Sequence, residues 1–310
     1  MAKRPRPDIN DPTRFVYYRY GPSLEAAIVF VILFSLTTAF HIFQIGKKRT
    51  WYFIPLAIGG IFESVGYIGR ILSHYDQWKL SNFIMQYLLL LVAPALFAAS
   101  IYIILGRIIL LVDGERYAPI RQRWLTKIFV TGDVISFLVQ GGGGGIMGSG
   151  TEKGMKIGEK LVLVGLFLQL FFFAIFVIVA GTFHYRLVRA RPLKKYAGAA
   201  PTSFDVHALP WKRHLVALYL ASTLILVRST FRVVEYLMGN AGFLLRKEIF
   251  LYIFDAVLML AVMLIFNWVH PSQVTEALRE RLEAEKNGNA SKSEMQVQVP
   301  QEEVRGGPWS

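Results

Sequence analysis

Cysteine is absent from all 310 residues, which removes disulfide stapling, thiolate metal sites and cysteine nucleophiles at once. Charge is scarce as well. Asp, Glu, Lys and Arg make up 18% of the chain against 54% hydrophobic residues, and the mean hydropathy is +0.42. That balance excludes a disordered chain, which needs low hydrophobicity, and it excludes the two soluble domains that the length would otherwise imply. Histidine is thin and badly placed for metal work. Only His41 lies well inside an apolar run, while His74, His184, His207, His214 and His270 fall at ends or in connections. An intramembrane zinc hydrolase, which needs several imidazoles near one depth, is therefore disfavoured. No Walker A sequence, no Asp-Lys-Thr-Gly phosphorylation motif and no G-x-S-x-G nucleophile elbow occurs, so no enzyme class and no cofactor is expected.

What the chain does have is long apolar runs. A bilayer core of about 30 Å needs roughly 20 apolar residues per helix, and windows of that length predict an all-α polytopic membrane protein with seven transmembrane helices in one bundle. They fall at about Leu24 to Ile45, Trp51 to Leu72, Phe83 to Leu105, Leu125 to Met147, Leu161 to Phe183, Leu215 to Met238 and Ile249 to Trp268. The first is too long for a signal-peptide core and is read as a retained span. The fourth is the weakest, because it holds Lys127 and Asp133 and ends in the run Gly141–Gly145. That run lacks the Lys-Ser/Thr of a phosphate loop and is read as close packing or a flexible helix end.

The net charge of +13 fits a membrane protein better than a nucleic-acid binder, because the basic residues collect in connections, where they set topology and meet anionic headgroups. One side carries Lys47, Lys48, Arg49, Arg116, Arg121, Arg123, Arg186, Arg189, Arg191, Lys194, Lys195, Lys212 and Arg213. The other carries only Lys79, Lys153, Lys156, Lys160, Arg246 and Lys247. The positive-inside rule then makes residues 1–23 an extracellular tail, 24–270 the seven-helix domain and 271–310 a cytosolic tail, although five basic residues in the N-terminal tail oppose this. In the C-terminal tail, Ser272 is expected to cap a short amphipathic helix with Val274, Leu278 and Leu282 on one face. Asn287-Gly288 is expected to end it, with disorder beyond.

The most informative residues are ionisable ones at membrane depth, where each is costly unless paired or hydrated. Glu63/Arg70, Asp133/Gln140, Arg228/Glu235 and Glu248/Asp255 are each seven apart, which is two turns along one helix face. Arg232 joins the stripe of the sixth span; Gln86 and Gln169 add polar positions on the third and fifth. Four such stripes cannot all face lipid. They are expected to converge on a shared interior in which Arg70, Arg228 and Arg232 meet Glu63, Asp133, Glu235 and Asp255. Structural ion pairs and a wetted ligand cavity both satisfy this pattern, and the number of charges favours the cavity. Pro94 is expected to kink the third span, and Ala95/Ala99 and Gly60/Ser64 are small pairs that permit close helix packing. A buried protonated carboxylic acid doing metal-free lipid chemistry is a further option, opposed by the neighbouring arginines.

Several segments resemble one family of fungal membrane proteins. They are Glu63-Ser-Val-Gly-Tyr67-Ile-Gly-Arg70, Ala93-Pro94 with Tyr102, Leu105-Gly106-Arg107, Asp133-x2-Ser136-x3-Gln140-Gly-Gly-Gly, Arg228-x2-Phe231-Arg232-x2-Glu235 and Glu248-x3-Leu251-Tyr252-x2-Asp255. Over about Trp51 to Pro271 the chain is similar to the lipid-translocating exporters. The resemblance implies seven helices with an outside N-terminus, a plasma-membrane location, and export of a sphingoid long-chain base or another toxic amphiphile. Because the family includes a porphyrin carrier, it does not fix the substrate. The residues carried forward as ligand-binding are Glu63, Tyr67, Arg70, Gln86, Asp133, Gln140, Arg228, Arg232, Glu235 and Asp255, between spans two, three, four, six and seven. A seven-helix lipid sensor using the same polar network as a switch is the rival reading.

Overall fold

A computed structural model describes residues 16–147, 151–196, 211–239 and 242–297; the expected third connection and the last residues of the C-terminal tail lie partly outside these. Among the described residues there is no strand. The chain forms α1 (Leu24–Lys48), α2 (Ile54–Tyr75), α3 (Leu80–Leu111), α4 (Gln122–Met147), α5 (Glu152–Tyr196), α6 (Trp211–Leu237), α7 (Glu248–Trp268) and α8 (Ser272–Val297). It is a multi-pass membrane protein. Six of the helices are long and apolar enough to cross a bilayer by length and composition: α1, α2, α3, α5, α6 and α7. α4 is not among these six, but its 26 residues pack along α3 and α5, which makes it the candidate for the seventh.

The bundle is built for lipid. Along α1, Ile28, Val29, Ile32, Leu36, Phe40 and Phe43 are exposed, while Ala27, Phe34, Thr37, Thr38, His41 and Ile45 turn inward. Apolar residues outside and polar ones within invert the soluble pattern, as expected where hydrocarbon replaces water. His41 accounts for its own burial by pairing its Nε2 with the Met263 carbonyl at 3.0 Å.

The glycine run of α4 remains helical throughout. A Cβ on Gly143 would stand 2.7 Å from the Gly158 carbonyl oxygen and 2.8 Å from the Val162 nitrogen, so α4 and α5 touch backbone to backbone there. Of the two readings of the run, packing holds and a flexible end does not. The C-terminal tail also departs from expectation. α8 passes through Asn287-Gly288 to Val297, and the Ser272 hydroxyl, buried without a partner, does not cap it; the Pro271 carbonyl accepts from the Val274 and Thr275 amides instead. The Asn-Gly pair ends a helix only by adopting positive φ, and a single interior glycine costs about 1 kcal/mol, too little to stop this one. α8 docks on the bundle with Val274 and Ala277 buried, while Leu282 points away. Arg281 donates to the carbonyls of Leu110 (3.1 Å) and Leu111 (2.9 Å) at the end of α3, where the helical i+4 donors run out and the Leu110 carbonyl also accepts from the Asp113 amide at 3.1 Å.

Candidate functional site

Spacing of seven places two charges on one face but separates them by about 10 Å along the axis. The stripes therefore build two layers at different depths instead of one shared cluster. α2 and α7 run in opposite directions. Arg70 and Glu248 meet near the N-terminal face, and Glu63 and Asp255 lie deeper.

In the upper layer Arg70 pairs with Glu248, not with Glu63. Its Nη2 lies 2.6 Å from Glu248 Oε1 and its Nε 3.1 Å. The guanidinium also donates to the hydroxyls of Tyr20 (2.8 Å) and Tyr252 (3.0 Å) and lies over both rings. The same carboxylate accepts from the Ser23 amide at 2.8 Å, which ties the start of α1 to the start of α7.

In the lower layer Arg228 pairs with Asp255, and Arg232 bridges the layers. Arg232 Nη1 lies 2.9 Å from Glu235 and its Nη2 2.9 Å from Asp255. Two local distortions aim these groups. Residues Tyr252–Val257 form a π turn, and the extra residue it inserts turns the Asp255 side chain toward α6. On α3, Pro94 has no amide hydrogen, so the Leu90 carbonyl four residues earlier has no helical donor, and Arg228 Nη2 donates to it at 2.6 Å. Pro94 thus supplies an acceptor for a buried guanidinium, a role that the expectation of a kink does not include.

Glu63 sits against this cluster. It is 1% exposed, neither carboxyl oxygen has a hydrogen-bond partner among the described residues, and the charges acting on it are Asp255, Arg228 and Arg232. One turn away Tyr67 packs against the rings of Phe30 and Phe34, and its hydroxyl likewise has no partner among the described residues.

Above the cluster a cavity of about 90 Å³ opens toward the N-terminal face. Its wall takes Arg70, Gln86, Arg232 and Glu235 from the sequence-derived set, together with Arg19, Glu159 and the rings of Tyr17, Tyr18, Tyr20, Phe83, Tyr87 and Tyr236. The segment before α1 roofs it. Tyr17 stacks on Phe83 at 5.0 Å, and the buried Tyr18 hydroxyl sits 3.0 Å from Ser73 Oγ and 2.8 Å from Gln86 Oε1. Burial pushes the Tyr18 hydroxyl up to about 12, so it stays a neutral donor.

Of the ten residues singled out by spacing and resemblance, four line the cavity. Arg228, Asp255, Glu63 and Tyr67 lie beneath it. Asp133 and Gln140 do not join them. Asp133 accepts from the Tyr102 hydroxyl at 2.9 Å in a box of Phe129, Phe173 and Phe176, and Gln140 donates to Gln169 on α5 at 3.1 Å. The expectation that all four stripes share one interior fails for α4, whose polar face meets α5 and α3 and not α6 and α7. Sequence reasoning missed Glu159 and the tyrosines. The run Tyr17-Tyr18-x-Tyr20, four residues before an apolar helix, was the available signal. No group of three or more His, Asp and Glu side chains is placed to hold a metal among the described residues.

A family profile described as "RTA1 like protein" matches residues 56–277. The chain is 36% identical over 288 residues to the Protoporphyrin uptake protein 1 of Saccharomyces cerevisiae, covering 82% of this chain and 91% of that protein. It is 34% identical over 288 residues to Protein RTM1 of the same species, covering 80% and 89% respectively. It is 26% identical over 275 residues to the Sphingoid long-chain base transporter RSB1 of that yeast, covering 81% and 72%. No solved structure matches it.

Proposed function

The chain belongs to the RTA1-like family, and from that premise we propose that it binds an amphiphile with a cationic headgroup, such as a long-chain amine, and moves it outward across the plasma membrane. Relatives are named as a transporter and an uptake protein, not as enzymes. The observation that carries the reading is the composition of the cavity. Of its three buried guanidinium groups, Arg70 and Arg232 are committed to Glu248, Glu235 and Asp255, and Arg19 is also engaged, whereas Glu159 and six aromatic rings line the remaining wall. Aromatic faces and a carboxylate suit an ammonium better than a phosphate. The volume is that of a headgroup; an alkyl tail has to lie between helices or in lipid, which fits an occluded state beneath the Tyr17–Tyr20 roof.

The test is efflux of a labelled long-chain amine from vesicles that contain only this protein. Compared per molecule of folded, reconstituted protein, Glu235→Gln and Asp255→Asn are expected to lower the rate at least tenfold, and Asp133→Asn, off the cavity, to lower it much less. Efflux indistinguishable from empty vesicles would remove the transport reading and leave the polar layers as structure or as the switch of a lipid sensor.

A further inference from the structure

The face of the bundle that meets hydrocarbon is not uniform. Between α6 and α7, at the end of the bundle that carries α8, it opens into a groove of about 650 Å³ that shares no residue with the roofed cavity. That volume lies within the range of about 300–1,000 Å³ typical of ligand sites. One wall is Arg213, Val216, Ala217 and Leu220 on α6, and the other is Ala261, Leu264, Ile265 and Trp268 on α7. Each set follows the spacing i, i+3, i+4, i+7, which is a single stripe of about 10 Å along its helix. The two alanines leave the seam hollow. Ala217 is buried and Ala261 half-buried on the floor, whereas Leu220, Leu264 and Trp268 stand exposed on the rims.

All of the groove's charge is at one end. α6 and α7 run in opposite directions, so Arg213, near the start of α6, stands beside the end of α7 at Trp268. Among the described residues, Arg213 is the one charged side chain on the wall, is exposed, and forms no ion pair. Trp268 is 81% exposed, which puts an indole N–H where tails give way to headgroups, the usual depth of tryptophan in a bilayer. The apolar stripe fits an acyl chain. The guanidinium fork at its mouth fits a phosphate, which it can hold through two parallel N–H donors. The occupant has to be anionic, because a cationic amphiphile would meet a like charge at the mouth and a zwitterionic headgroup brings its own ammonium there.

We propose that the α6–α7 groove binds one anionic glycerophospholipid of the leaflet on the α8 side, with its phosphate on Arg213 and an acyl chain against Ala217 and Ala261. This goes beyond the transport reading and does not depend on it. The lipid bridges the two helices that Asp255 joins deeper in the bundle through Arg228 and Arg232. Binding to the folded state alone then stabilises the same seam from its outer side.

The experiment uses the full chain in phosphatidylcholine nanodiscs that contain a trace of one of two probes, phosphatidylglycerol or phosphatidylcholine, each with a diazirine on one acyl chain. After photolysis, labelled residues are mapped by peptide mass spectrometry. Residues 213–220 and 261–269 are expected to take about fivefold more label from the phosphatidylglycerol probe than from the phosphatidylcholine probe, the worth of about one basic residue at an anionic headgroup. The other lipid-facing helices are expected to take equal label from both. Arg213→Gln is expected to abolish the excess, Arg213→Lys to keep most of it, and Ala261→Phe, which fills the floor, to lower labelling of the groove by either probe. Thermal unfolding reports whether each variant is folded, and if Ala261→Phe is not, Arg213→Gln on its exposed side chain carries the test. Equal labelling of the groove by the two probes, an excess spread evenly over the lipid-facing helices, or an excess that survives Arg213→Gln overturns the proposal.

Discussion

At the scale of single residues, spacing reveals which side chains share a face and is silent about which helix faces them. Glu63 and Arg70 are seven apart, but Arg70 finds its carboxylate on α7 at the same depth, in Glu248. Glu248, left out of the residues carried forward as ligand-binding, is thus the partner of Arg70, which is 0% exposed. Removing one member of a buried pair leaves the other uncompensated, at a cost of about 3–5 kcal/mol, whereas replacing both by apolar residues costs much less. Arg70→Met is therefore expected to destabilise the protein by that amount in detergent, and Arg70→Met with Glu248→Leu by less than half of it. The coupling between Arg70 and Glu63 is expected to stay within about 0.5 kcal/mol, as for independent sites. Double-mutant cycles on thermal unfolding give both numbers. A larger coupling to Glu63 than to Glu248 would reject the two-layer arrangement.

At the scale of elements, periods and lengths made seven spans legible, with starts within a few residues of those observed except for α5, which begins nine residues earlier. What the hydropathy windows could not supply was the reach of α5 to Tyr196, where the residues are charged and polar, or the π turn at Asp255, which leaves no mark in apolar periodicity. The glycine run of α4 was legible as a feature and ambiguous as to cause, and the contact with α5 decides it. Two neighbouring substitutions separate the causes. At Gly143 a methyl group would enter the space of the Gly158 carbonyl, so Gly143→Ala is expected to destabilise by about 1–3 kcal/mol through overpacking. At Gly142 nothing lies within 4 Å, so Gly142→Ala is expected to stabilise by up to about 1 kcal/mol through helix propensity alone. Equal effects in thermal unfolding would mean that the run acts through backbone freedom and not through a one-sided contact.

At the scale of the whole molecule, the two ends of the bundle differ in kind. The N-terminal face carries the roofed cavity with its acids and tyrosines, while the opposite face carries the α8 strap, bound through Arg281, and the more basic connections. An exporter has to release its cargo outside, so the proposed direction of transport stands on the cavity face being extracellular, as the unequal distribution of Lys and Arg implies. The absence of cysteine makes this testable at single positions. Lys79 lies exposed in the α2–α3 turn on the cavity face, and Glu115 lies exposed between α3 and α4 on the other. In intact cells, a membrane-impermeant maleimide is expected to label Lys79→Cys directly and Glu115→Cys only after permeabilisation. The Asn289-Ala-Ser291 sequon in α8 should remain without glycan for the same reason. The reverse labelling would place the cavity in the cytosol, and the same two layers of charge would then describe uptake, with the amphiphile moving opposite to the direction proposed.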